Sequence, residues 1–211
     1  MKKTVIIDFD GTLADSFPEV LAFLESQTGK PVNYKKRRNL RGLSMKDLAL
    51  AVGVPRRRLP LVFFRGRAQL HHAMELVPLF DGMREVLDSL RAVEGVELYI
   101  VSSNSHRNII RFIHKHNLRG YFKRVYGNAG WFGKGRSLNH LVRRNRWQPA
   151  QTLYIGDEVR DIVGAHNAGI QSIAVTWGFG SPEELNVHGA LALVSSPAEL
   201  QRELSAWINA L

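Results

Sequence analysis

The residues best equipped for chemistry in this sequence are two aspartates one position apart. Asp8 and Asp10 lie in "TVIIDFDGTLADS", residues 4–16, where an apolar strand-like run ends in acid and then Gly-Thr. Aspartate opposes strand propensity, and two carboxylates this close repel unless something positive sits between them. Two more apolar runs end in polar groups. "VELYIVSS" delivers Ser102 and Ser103, with Asn104 after them, and "TLYIGD" delivers Asp157 and then Glu158, with Asp161 one helical turn further on. A basic residue framed by glycines, Lys134 in "FGKG", precedes the latter run. Ligands collect at the carboxyl ends of strands in an open α/β sheet, so these ends are expected to converge. Converging carboxylates raise one another's pKa values. A hard divalent cation removes that conflict, and Mg²⁺, which joins carboxylates to waters and substrate phosphate, is the expected cofactor. Period two puts Asp8 and Asp10 on one side of the chain. Gly11 allows a tight turn whose amides would face an anion, while Lys134 and Ser102 offer that anion a cation and a hydroxyl. Together these parts outline a phosphoryl-transfer site.

The elements that must position these groups follow from hydrophobic patterning. Four runs, "TVIIDF", "VELYIVSS", "TLYIGD" and "QSIAVTW", have the character of buried parallel strands, each followed by a turn and a helix-like segment. After the second, "SHRNIIRFIHKHNLRG" aligns Ile109, Ile110, Phe112 and Ile113 and is expected to close at Gly120. After the third, "EVRDIVGAHNAG" ends at Gly169, a C′ glycine. The last helix opens on the capping-box pattern Ser196 to Glu199. Strands alternating with helices predict an α/β fold, a parallel Rossmann-like sheet covered on both faces. Residues 16–81 break the rhythm with helical stretches alone: "SFPEVLAFLESQTG", "SMKDLALAVG" and a third from Leu59 to Leu76. The expected organisation is a core of residues 1–15 and 82–211 carrying a small helical cap at 16–81.

Composition limits the function classes. The chain of 211 residues has no cysteine, which excludes disulfides, thiolate zinc sites and thiol nucleophiles. No run approaches the length of a membrane span, and Asp8 and Asp10 interrupt the N-terminal apolar stretch too early for a signal peptide; a cytoplasmic protein is expected. The net charge of +10 is unevenly spread. Between Glu25 and Glu75 there are 12 Lys/Arg and one acid, and between Glu97 and Asp157 there are 11 Lys/Arg and none. Such tracts could dock nucleic acid or an acidic protein, a non-enzymatic alternative less favoured than a solvated basic surface. The histidines form no His-x-x-x-His pair with carboxylate support, and His71-His72 is read as a surface or packing feature.

"DFDGTLADS", "YIVSSNS", "FGK" and "YIGDEVRDIVGAHNAG", in this order, resemble the four motifs of the haloacid dehalogenase superfamily, and "IAVTWGFGSPEEL" is similar to its phosphoglycolate-phosphatase-like branch. The resemblance spans nearly the whole chain. It implies that Asp8 is the nucleophile and a Mg²⁺ ligand, ionised at an ordinary pKa of about 3.9. It makes Asp10 the general acid and then base, its carbonyl a metal ligand, with a pKa raised by apolar neighbours such as Phe9. Ser102 and Lys134 are to hold the phosphoryl oxygens, and Lys134 to pair with Asp8. The resemblance makes Asp157 a metal ligand, with Glu158 and Asp161 either ligating beside it or supporting it from behind, and gives Gly11, Thr12, Ser103 and Asn104 the remaining substrate contacts. "NLRGLSMKDL" resembles the cap stretch that faces the site in relatives, making Arg41 the expected reader of a second anionic or hydroxyl-rich group. With 12 cations and five acids, the cap should favour an anionic substrate. Dehalogenases and phosphonate hydrolases lack the second aspartate, so Asp10 argues against both. Thr12-Leu13 is the phosphatase-like form, where β-phosphoglucomutase-like members usually have Val-Ile. The implied activity is a Mg²⁺-dependent phosphatase acting on a small phosphorylated metabolite, phosphoglycolate-like or a sugar phosphate, through an aspartyl-phosphate. A β-phosphoglucomutase-like phosphomutase is the alternative enzyme. A monomer or homodimer, without membrane association, is expected.

Overall fold

A computed structural model of the chain describes residues 2–29, 31, 40, 43–129 and 134–210. Its centre is a six-stranded, all-parallel sheet. The strands are β1 (Lys3–Ile7), β2 (Val96–Val101), β3 (Arg124–Tyr126), β4 (Thr152–Gly156), β5 (Gln171–Val175) and β6 (Ala192–Val194), in the spatial order β3-β2-β1-β4-β5-β6. Ile6 of β1 lies beside Tyr99 on one neighbour and Tyr154 on the other. The strand order therefore reverses at β1, and the carboxyl ends of β1, β2 and β4 open side by side, the place where a crevice forms in such sheets.

Alternating side chains of β1 serve both faces, as the period of two requires. Val5 and Ile7 pack against helices Met83–Ala92, His106–Lys115 and Pro197–Asn209 through Met83, Leu87, Ile109, Phe112, Leu200 and Leu204. Ile6, with Tyr99 and Tyr154, packs against Leu138, Leu141 and Val142 of helix Lys134–Asn145 and Ala165 of helix Val159–Asn167. The parallel covered sheet expected from the sequence is the one observed. In chain order the helices are α1 (Phe17–Thr28), α2 (Met45–Ala51), α3 (Leu59–Ala73), α4 (Met83–Ala92), α5 (His106–Lys115), α6 (Lys134–Asn145), α7 (Val159–Asn167), α8 (Pro182–Asn186) and α9 (Pro197–Asn209).

Helices α1, α2 and α3 gather a separate apolar cluster around Phe17, Leu21, Leu24, Leu48 and Val62, into which Phe179 projects from the segment after β5. The segments joining these helices to the sheet brace each other. Asp15 donates its amide to Pro78 O at 3.0 Å, Phe80 donates to Leu13 O at 3.2 Å, and Ala14 bridges to Leu79. Met74 and Val77, at the return, already belong to the sheet-side core.

The differences from expectation have local causes. The strands stop one or two residues early, because the acids and serines at their ends turn away to form the site. β3 and β6, three residues each, were not expected; they are short outer strands without a continuous buried run. Helix α5 ends at Lys115 rather than at Gly120, since Asn117 already takes a left-handed conformation with φ of 54°. Ser44 and Ser196 cap α2 and α9 as their spacing predicts, accepting from the amides of Asp47 and Glu199. Glu199, however, returns its carboxylate to Ser195 rather than to Ser196.

Candidate active site

The centre of the site is a knot of buried charge. Carboxylate oxygens of Asp8, Asp157 and Asp161 lie within 4.8 Å of one another. Lys134, at the first position of α6, reaches between two of them, donating to Asp8 Oδ2 at 2.6 Å and to Asp161 Oδ1 at 2.5 Å. Asp8 comes from the end of β1, where its amide still donates to Ile155 O at 2.9 Å, and its Oδ1 accepts from the Phe9 amide at 2.7 Å. The expected pairing of Lys134 with Asp8 is present. Burial pushes Asp8 up to about 7 even though Lys134 pulls it down, and Asp161 adds to the rise. The Asp8 pKa therefore stands above the ordinary value expected from the sequence, because desolvation outweighs one lysine. Asp157 is raised well above the usual carboxylate range by burial and then by Glu158, Asp161 and Asp8. Burial alone would lower Lys134, but Asp161 and Asp8 carry it above its ordinary value.

Asp157 is held from two sides. Its Oδ1 accepts from the Thr12 hydroxyl at 2.6 Å and its Oδ2 from the Phe179 amide at 2.8 Å. A Cβ on Gly11 would lie 2.2 Å from Asp157 Oδ2, and Gly11 has φ of 78°, so the position demands glycine twice over. Thr12 thus faces a carboxylate, and the Gly11 amide is donated to Ala14 O at 2.9 Å. The first turn orients Asp157 and uses the Gly11 amide itself, so that amide is not among those the turn could offer an anion.

Asp10 lies outside the carboxylate trio and turns towards β2, where Asn104 Nδ2 donates to both of its oxygens at 3.1 and 2.9 Å. Burial raises its pKa, as the sequence predicted, with Asn104 opposing the shift. Phe9 is packed into the core, edge-to-face on Phe112 at 4.9 Å. Ser102 is buried, its hydroxyl accepting from the Asn104 amide at 3.1 Å. Ser103 and Asn104 line a small cavity of about 50 Å³ beside Asp10.

That cavity has a polar floor from the sheet domain and a largely apolar roof. Asp10, Asn104, Glu158 and Arg160 lie below; Val20, Phe23, Met45 and Phe63 lie above. Among the described residues, the side chains of α1, α2 and α3 lining it carry no cation, although the charge of residues 16–81 led to the expectation of one. Arg41 lies outside the described residues. The cation at the cavity is Arg160 of α7, bonded to Glu158, and sequence reading missed it because it stands inside "GDEVRD" between acids that drew the attention. Burial acts to lower the Arg160 pKa, but Glu158, Asp161 and Asp8 hold it above its ordinary value. Glu158 is buried but points away from the trio, towards Arg160 and, at 3.4 Å, the amide of Met45 at the start of α2. Asp161 also accepts from the Glu158 amide at 3.1 Å, closing the first turn of α7.

Three hard-oxygen donors, two of them pushed towards protonation by crowding and burial, suit a divalent cation that would relieve the repulsion. Asp10 lies apart from this trio and lines the adjacent cavity.

Comparison with known proteins agrees. The family model of haloacid dehalogenase-like hydrolases matches residues 5–175, and the chain belongs to that family. It is a phosphatase-type enzyme, similar to phosphoglycolate phosphatases. A phosphoglycolate phosphatase from Synechococcus elongatus is 33% identical over 202 residues, 94% of this chain and 95% of that one. One from Vibrio vulnificus is 25% identical over 94% of each. Among solved structures, a protein from Clostridium acetobutylicum described as a predicted phosphatase superposes with a TM-score of 0.80 at 23% identity, covering 98% of this chain and 99% of its own, a likeness of fold. Among the described residues, no helix is long and apolar enough to cross a membrane.

Proposed function

We propose that the chain is a Mg²⁺-dependent phosphomonoesterase that works through a phosphorylated Asp8, on a small phosphorylated metabolite. The observation that carries this reading is the buried grouping of Asp8, Asp157 and Asp161 around Lys134 at the ends of β1 and β4. Asp8, Asp157 and Asp161 would hold the ion, with the Asp10 carbonyl completing the set, while Glu158, turned to Arg160, stands outside it. When bound, the ion supplies charge neutralisation at the phosphoryl oxygens and keeps Asp8 ionised.

Asp8 attacks phosphorus through a carboxylate oxygen while the leaving oxygen takes its proton from Asp10. Asp10, now a carboxylate, accepts a proton from water, which attacks the phosphoryl-aspartate and releases inorganic phosphate. Lys134 and the hydroxyls at the end of β2 hold the phosphoryl oxygens, an arrangement in which positioning and electrostatics do most of the catalysis. Residues 16–81 act as a cap whose apolar inner wall excludes water from the reaction. The relatives named phosphoglycolate phosphatases favour a small carboxylated substrate, with sugar phosphates as the other class to try.

The test is phosphate release from a panel of phosphomonoesters, including 2-phosphoglycolate, hexose phosphates and β-glucose 1-phosphate, with Mg²⁺ and with excess EDTA. Metal-dependent release from one substrate, abolished in Asp8→Asn, is expected. Undiminished turnover in Asp8→Asn would overturn the assignment of the nucleophile, and conversion of β-glucose 1-phosphate to the 6-phosphate without release would make the enzyme a mutase.

A further inference from the structure

Asp10 is not held by Asn104 alone. Asn104 Oδ1 accepts from the Ser105 amide at 2.7 Å, a donor that cannot reverse, so the NH₂ end of Asn104 must face Asp10. The same Oδ1 accepts from Asn108 Nδ2 at 2.9 Å, on the first turn of α5, which fixes the Asn108 amide in turn. Asn108 Oδ1 then faces His71 Nδ1 at 2.9 Å and can only accept, so Nδ1 carries a proton and donates it. The opposite nitrogen, His71 Nε2, faces Arg111 Nη1 at 3.1 Å, and Arg111 is ion-paired with Glu75. Four donors in succession, Arg111, His71, Asn108 and Asn104, all point towards the Asp10 carboxylate. Asn108 is 1% exposed, and His71, the link after Arg111, lies on α3, in the last turns of the cap helix before the return to the sheet. Hydrogen bonds aligned in one sense polarise one another, and a buried network of this kind tolerates few alternative arrangements.

We infer that His71 and Asn108 are positioning residues for Asp10: the chain they form ties the place of the cap helix α3 to the direction of the Asp10 carboxylate. No proton travels along the chain; its effect is to keep one Asp10 oxygen aimed at the leaving group. The inference rests on the reading of Asp10 as the acid and base of a phosphatase. His71 is thereby neither a metal ligand nor mere surface.

The test compares wild type with His71→Ala, His71→Asn and Asn108→Ala on two substrates, an alkyl phosphate and p-nitrophenyl phosphate. An alkoxide needs a proton to leave and p-nitrophenolate does not, so of the two phosphorylation steps only that of the alkyl phosphate depends on an aimed Asp10, while the later hydrolysis of phosphoryl-Asp8 depends on it for both. His71→Ala and Asn108→Ala are expected to lower kcat for the alkyl phosphate by about tenfold or more, with KM nearly unchanged. The p-nitrophenolate burst should keep its rate. His71→Asn, whose Nδ2 can replace Nδ1 as the donor to Asn108, should recover most of the loss. Equal losses of the phosphorylation rate on both substrates, a change in KM alone, or no recovery in a His71→Asn protein that melts like wild type would overturn the inference while leaving the phosphatase reading intact. Wild type without any phosphate release would overturn both.

Discussion

Asp157 has both carboxylate oxygens engaged, by a hydroxyl and by a backbone amide, while its pKa is driven upward by burial and three neighbouring acids. Thr12 is therefore worth more than a substrate contact: it orients a group that would otherwise escape its neighbours. Thr12→Val keeps the shape but leaves Asp157 Oδ1 without its donor, an omission that costs about 1–3 kcal/mol when the acceptor is buried. The expected outcome is a lower melting temperature together with roughly tenfold weaker activation by Mg²⁺, as removal of an outer partner of a ligand usually brings. A metal titration of activity checks it; an unchanged half-saturating Mg²⁺ concentration would free Thr12 for the substrate instead. At this scale Asp8, Asp10 and Asp157 were legible from sequence because each ends or interrupts an apolar run, a conflict that only a site resolves, and Lys134 because it stands alone between glycines. Asn104 and Arg160 were less so. What they do depends on which partner lies across space, Asp10 for the one and Glu158 for the other, and spacing along the chain carries no such information.

The strands and helices around the sheet were legible where burial is continuous, and less so where it is not. β1, β2, β4 and β5 are runs with little interruption, whereas β3 and β6 owe their pairing to β2 and β5 more than to their own three residues. The helical insert was legible as helices, but not which side faces the site. The side of α1, α2 and α3 that lines the cavity is an apolar wall, with Phe23 and Phe63 on it, and the many charges of the insert told nothing of that face. Gly66 on α3 shows how tightly that wall is made. A Cβ there would stand 2.8 Å from the Phe23 ring of α1. In an ordinary helix interior Gly→Ala stabilises by about 1 kcal/mol. Here Gly66→Ala should destabilise, by about 1–3 kcal/mol, because the two helices must part or Phe23 must leave its place. Denaturant unfolding gives the sign, and a stabilised variant would show that the wall has room to yield. Since Phe23 lines the cavity, KM should move more than kcat.

For the molecule as a whole, burial redistributes charge. Among the described residues, Asp8, Asp157, Glu158 and Asp161 are buried with only Lys3 and Lys134 to balance them, so the exterior is more basic than the net charge of +10 implies. An anionic substrate is drawn to such a surface, yet the centre it must reach is itself crowded with acid. That conflict makes stability, pH and metal a single question. Asp8 is held at about 7 in the fold against an ordinary 3.8, and Asp157 is shifted in the same direction. Between those two values the folded protein keeps a proton that the unfolded chain has released, so without metal its stability falls as pH rises through that window. A divalent cation replaces the protons and stabilises only the folded state. Its effect must therefore grow with pH. The rise in melting temperature on adding Mg²⁺ is expected to be small at about pH 5 and several degrees at about pH 8. In Asp157→Asn, one crowded charge is gone, so the metal-free protein should melt higher at the alkaline end while the Mg²⁺ increment shrinks. Equal increments at both pH values, or one that survives Asp157→Asn, would place the ion somewhere other than among Asp8, Asp157 and Asp161.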